Sequence, residues 1–107
     1  MITNNTIEKV IQFTKDRDWD QFHSPANLAK SIVIEAGELL ECFQWNNDEF
    51  NQEEVAEELS DVLNYCILMA DKLSLDLDEI LNKKIDKNAE KYPVSKAKGT
   101  SKKYTEL

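Results

Sequence analysis

A chain of 107 residues, 41% hydrophobic and 32% charged with two Gly and two Pro, is long enough for one packed core and too short for two. Collagen-like and Pro/Gly-rich disordered classes are excluded, and two cysteines 24 positions apart make neither a disulfide scaffold nor a zinc finger. The formal charge of −8 opposes binding to a nucleic-acid polymer.

The charge is unevenly spread. Residues 81–107 hold eight lysines against Asp86, Glu90 and Glu106, a surplus of five positive charges that leaves thirteen negative ones on residues 1–80. An acidic body suits cations, and a basic tail suits a polyanion. The longest apolar run, around residues 66–70, is far too short to cross a bilayer. The opening Met1-Ile2-Thr3-Asn4-Asn5 lacks the basic-then-apolar order of a signal peptide. With free thiols besides, the expectation is a soluble, cytoplasmic, single domain over residues 1–107 with no membrane partner.

Four helices are predicted and no strand. The first covers residues 5–17, where Ile7, Val10, Ile11 and Thr14 recur at the spacing of one helix face. Residues 18–24 break that pattern, and Ser24-Pro25 has the form of an N-cap followed by proline at the first helical position. The second helix is predicted over residues 25–45, with Leu28, Ala29, Ile32, Val33, Ala36, Leu39, Leu40 and Phe43 apolar. Gly37 costs such a helix about 1 kcal/mol relative to Ala, which a close helix approach would offset.

A third helix is expected over residues 51–72, on Val55, Leu59, Val62, Leu63, Cys66, Ile67, Ala70 and Leu73. The fourth, residues 77–91, is capped by Ser74 or Asp76, points Leu77, Ile80, Leu81 and Ile85 inward, and is stopped by Pro93. The Lys-rich tail, residues 93–107, shows no periodicity and alone would be disordered. Short connections make consecutive helices antiparallel neighbours, so the expected fold is all-α, an antiparallel four-helix bundle. Apolar runs such as Ile32-Val33-Ile34 and Ile67-Leu68-Met69 exceed what one partner helix covers, which favours pairing of chains.

Chemistry is concentrated on the two longest helices. Glu35 and Glu38 lie three apart on one, Glu58 and Asp61 three apart on the next, each pair presenting two carboxylates from one patch. Glutamates at that spacing are common on solvated faces, and Glu53, Glu54 and Glu57 read as such. No Lys or Arg is interleaved with the two pairs, however, and the adjoining Leu39, Leu59 and Val62 bring them to the helix–helix seam. Four acids meeting there repel and lose hydration unless a divalent cation joins them. Oxygen-only ligands suit a hard ion such as Mg²⁺ or Mn²⁺. Trp19, Phe22, His23, Trp45 and Tyr65 sit near helix ends or beside these acids, where flat rings either fill a core or stack on a nucleobase. Cys42 and Cys66 read as small core residues.

The pattern Glu35-x-x-Glu38, a spacer, then Glu58-x-x-Asp61 resembles the signature of the all-α nucleoside triphosphate pyrophosphohydrolases of the MazG superfamily. Trp19-Asp-Gln-Phe-His23-Ser-Pro-Ala-Asn-Leu28, Glu35-Ala-Gly-Glu-Leu-Leu-Glu-Cys-Phe-Gln-Trp45, Glu57-Glu-Leu-Ser-Asp-Val-Leu-Asn-Tyr65 and Lys103-Tyr-Thr-Glu-Leu107 extend the likeness to its dCTP pyrophosphatase-like single-domain branch. The resemblance implies a MazG fold assembled as a homodimer or homotetramer. It implies Mg²⁺-dependent cleavage of dCTP or a related (deoxy)nucleoside triphosphate to monophosphate and pyrophosphate, with Glu35, Glu38, Glu58 and Asp61 as metal ligands. Glu35 or Glu38 would take the proton of the attacking water. Trp19 and Trp45 would enclose the base with Tyr65 nearby, while Lys84, Asn88 and the tail would reach the phosphates. The competing expectation is a non-catalytic helical module whose acidic face binds a basic partner.

Overall fold

A computed structural model describes residues 2–107. It is helical throughout, with no strand among the described residues: α1 (Asn4–Asp16), a 3₁₀ turn (Asp20–Phe22), α2 (Pro25–Glu41), α3 (Gln52–Lys72), α4 (Leu77–Lys91), a single turn α5 (Val94–Ala97) and a second 3₁₀ turn (Tyr104–Glu106). The all-α class and the four long helices agree with expectation. Each long helix begins on a side chain that satisfies otherwise orphaned backbone N–H groups. Thr3 Oγ1 accepts from Thr6, Ser24 Oγ from Asn27, Asn51 Oδ1 from both Glu53 and Glu54, and Asp76 Oδ1 from Glu79. Asp76, not Ser74, is therefore the cap of α4.

The chain forms two compact units, Met1–Ser74 and Leu75–Leu107. In the first, α3 packs along α2 and also meets α1. Its core is Thr14 of α1, Leu28 of α2, and Ile67, Leu68 and Ala70 of α3. Glu38 meets Glu58, and His23 meets Tyr65, so rising numbers along α3 match falling numbers along α2: the two helices run antiparallel. The core thus closes one end of the hairpin and leaves the carboxylates at the other.

α2 stops at Glu41, four residues before its expected end. Cys42, Phe43 and Gln44 donate to the carbonyls three residues back, tightening the chain into a turn, and Phe43 then packs on Phe50 at 4.9 Å across the connection. Trp45 accordingly lies beyond the helix and not on the face of Glu38. The close approach expected at Gly37 is also absent, since a Cβ there would meet nothing within 4 Å. Around it Val33, Ile34 and Leu40 of α2 are exposed, apolar surface that α3 does not cover.

In the second unit Ile80, Leu81 and Ile85 of α4 are exposed as well, so its apolar stripe is not a core face. The tail is more ordered than its composition predicts. Tyr104 meets Tyr92 edge-on at 6.0 Å, and the Lys91 ammonium sits 4.9 Å above the Tyr104 ring, tying residues 94–107 back to the end of α4. No helix among the described residues is long and apolar enough to cross a membrane.

Candidate metal and nucleotide site

The last turns of α2 and the second turn of α3 bring Glu35, Glu38 and Glu58 together, with one carboxylate oxygen from each inside a span of 4.8 Å. Glu35 and Glu38 project from one face because they are three residues apart, and the antiparallel packing of α3 supplies Glu58 opposite them. The Glu38 charge acts on both others. One oxygen on each flank, Glu35 Oε2 and Glu58 Oε2, is nevertheless buried with no hydrogen-bond partner.

Burial holds the Glu35 carboxyl above the usual carboxylate range, and the Glu38, Asp61 and Glu58 charges push it further the same way. Glu58 is raised by burial first, then by Glu38, Asp61 and Glu57. These acids are unstable as neighbours unless something positive joins them. Buried oxygens without partners, carried by oxygen-only ligands, fit a hard divalent cation. Asp61 is exposed and stands outside the close group, yet its charge reaches Glu35, Glu58 and Tyr65.

Tyr65 lies beside this cluster. Its phenol is pushed up by burial and then by the Glu35 and Asp61 charges, so it stays a protonated donor, and His23 meets its ring edge-on at 6.2 Å. His23 also lines a cleft of about 240 Å³ with Thr14, Lys15, Asp20, Asp71 and Lys72. The cleft and the carboxylates are therefore joined through the His23–Tyr65 pair. His23 was visible in the sequence only as one aromatic among five. Its signal was the Phe22-His23-Ser24-Pro25 run, which fixes it immediately ahead of α2.

Trp19 is positioned by the end of α1. Its N–H donates to the Thr14 carbonyl at 2.9 Å while Asp18 N–H donates to Lys15, the paired bonds of a Schellman ending, and its ring meets Phe13 at 5.8 Å. The Arg17 guanidinium stacks over the Phe13 ring, 3.6 Å from its centroid. Trp45 stands in the α2–α3 connection, 88% exposed. Lys84 and Asn88 are four apart on α4, hence on one face, in the second unit. The Cys42 S–H donates to the Glu38 carbonyl, and burial with the Glu54 and Glu58 charges raises its thiol, which disfavours the reactive thiolate.

Residues 30–107 match the model of the MazG-like family. Among curated proteins, the chain is similar to dCTP pyrophosphatase 1 of Homo sapiens at 41% identity and of Mus musculus at 40%, in each case over 105 residues and 90% of this chain. The alignments span 62% of those relatives' length. Among solved structures it is similar to a pyrophosphatase from Archaeoglobus fulgidus DSM 4304, with a TM-score of 0.74 and 35% identity over 83% of this chain and 90% of that one.

Proposed function

The chain belongs to the MazG-like family, and from that premise we propose that it hydrolyses a nucleoside triphosphate, dCTP or a related dNTP, to the monophosphate and pyrophosphate. The observation that carries this is the convergence of Glu35, Glu38 and Glu58 with two buried oxygens left without partners. Similarity to dCTP pyrophosphatase 1 supports the substrate class.

Glu35, Glu38, Glu58 and Asp61 would hold Mg²⁺, or Mn²⁺ in its place. When bound, the cation supplies Lewis acidity, neutralising charge on the phosphate oxygens. The protein's own part is to orient a water for in-line attack on phosphorus and to take its proton. Glu35 or Glu38, neighbouring carboxylates on one face of α2, takes that proton. The proton passes to a carboxylate and the pyrophosphate leaves, so no covalent nucleophile is required. The Tyr65 hydroxyl, held protonated, is a donor at the edge of the site. Trp19 and Trp45 offer rings for the base, and Lys84, Asn88 and the lysines of the tail offer donors for phosphate oxygens.

The exposed Val33, Ile34 and Leu40 favour a homo-oligomer, dimer or tetramer, in which α2 of one copy is covered by another. The free thiols of Cys42 and Cys66 suit a reducing, cytoplasmic setting.

A panel of nucleoside triphosphates, assayed for product identity with Mg²⁺, with Mn²⁺ and with neither, tests the proposal. Pyrophosphate release that requires the metal is the expected result. If no nucleotide is cleaved, and a basic protein is instead captured through the acidic face with strong salt dependence and indifference to metal, the non-catalytic module replaces the enzyme.

A further inference from the structure

The connection between α2 and α3 runs over residues 42–51, longer than the two to eight residues usual between bundle helices. It is also built, not slack. Phe43 at its start and Phe50 near its end pack at 4.9 Å with their rings tilted 53°. Between them Asn46 Oδ1 accepts from the N–H groups of Asp48 and Glu49, at 2.9 and 3.0 Å. Asn51 then anchors the exit by capping α3. These restraints leave Trp45 the most outward of the connection's large apolar side chains, at 88% exposure against 48% for Phe50.

Where the arm springs from matters as much as its stiffness. Glu38 lies three residues before the end of α2, and Glu58 six residues after the start of α3. At 1.5 Å per residue both carboxylates are within about 5–9 Å, along the helix axes, of the ends that the arm joins. A ring held out from that junction is placed beside the phosphate-handling end of the hairpin. No packing within the first unit accounts for an indole so exposed.

We propose that Phe50 and Asn46 are positioning residues for nucleotide recognition: the Phe43–Phe50 clasp and the Asn46 turn hold the arm so that Trp45 meets the base already oriented. The proposal rests on the nucleotide reading above and adds to it the device that sets how tightly the base is held. A ring on a slack ten-residue loop is competent only part of the time, and apparent affinity falls by that fraction. Phe50 and Asn46 are outside the carboxylate cluster and act through the arm, so their loss acts on binding of the ground state and transition state alike, raising KM and sparing kcat.

Phe50→Ala, Phe50→Leu and Asn46→Ala are compared with wild type for kcat and KM on dCTP with Mg²⁺. In parallel, the anisotropy of Trp45 fluorescence is read in a Trp19→Phe background, where Trp45 is the single tryptophan. Phe50→Ala and Asn46→Ala are expected to raise KM about five- to tenfold with kcat within about twofold, and to lower the anisotropy. Phe50→Leu keeps an apolar contact with Phe43 and should recover most of both. Unchanged anisotropy in Phe50→Ala overturns the clasp, and unchanged KM despite lower anisotropy overturns its role in recognition. A fall in kcat at constant KM overturns it too. These outcomes are distinct from wild type failing to cleave any nucleotide, which removes the parent proposal and this one with it. Should Phe50→Ala not fold, Asn46→Ala, at an exposed turn, gives the same readings alone.

Discussion

Glu38 is the residue on which the carboxylate cluster turns, because its charge acts on both Glu35 and Glu58. Replacing its carboxylate by an amide removes one negative charge and supplies a donor to oxygens that lack one. For Glu38→Gln we expect kcat to fall by about 10²–10⁴, the range for loss of an acid–base group, while the metal-free protein melts at a higher temperature than wild type. The pH dependence has a definite sign. Glu35 and Glu58 titrate above their ordinary value of 4.5 in the folded chain, so from that value upward the native state holds more protons than the unfolded one. Stability of the metal-free protein due to these groups is full below 4.5 and is lost as pH rises through the raised values. The advantage of Glu38→Gln should therefore be large at neutral pH and shrink as pH falls toward 5, as calorimetry in a chelating buffer would read. A constant difference across that window would mean that the three acids do not interact.

At the scale of elements, the starts of the long helices and the ends of α1, α3 and α4 were legible to within a residue, and the end of α2 was not. Ser24-Pro25 and Asp76 carry their capping chemistry in their own side chains, and α2 and α4 begin there. The end of α2 goes instead with Phe43 meeting Phe50 across the connection, a tertiary contact that no capping residue announces. Residues 42–45, Cys-Phe-Gln-Trp, have no helix breaker, so local preference continues the helix where packing across the loop ends it. The tail escaped for a similar reason: Tyr92 and Tyr104 find each other across eleven residues of lysine-rich chain. Glu35, Glu38 and Glu58 were recoverable because i, i+3 spacing and antiparallel packing suffice to join them. His23 was undervalued because its link to the site runs through Tyr65. The end of α1 offers a test of local backbone energetics. Asp18 is held at φ +55 in the left-handed position of the Schellman ending that places Trp19. Asp18→Gly removes the Cβ strain and should stabilise the fold by about 0.5–1 kcal/mol, raising Tm by roughly 2–6 °C. A lower Tm would show that the Asp18 side chain contributes more than its strained backbone costs.

For the whole molecule the unresolved balance is apolar surface. Periodicity marks the face that leaves water but not whether the same chain or another copy covers it: Val33 and Leu40 belong to the apolar set of α2 and are each 71% exposed. Val33, Gly37 and Leu40 are spaced i, i+4, i+7 and share one side of α2. A glycine in that row costs the helix about 1 kcal/mol, and nothing in its own chain lies close enough to use the space. A second copy packed against the row would use it, since a missing Cβ lets two backbones approach. Two substitutions separate the possibilities. Leu40→Asp places a charge in the row and should turn an oligomer into monomers in sedimentation, abolishing the dependence of Tm on protein concentration. Gly37→Ala has opposite signs in the two cases. On an open helix it stabilises by about 1 kcal/mol, whereas in a close helix pair the added methyl group forces the copies apart and weakens association. We expect weaker association, and a gain in stability with no change in assembly would place the partner surface elsewhere on the molecule.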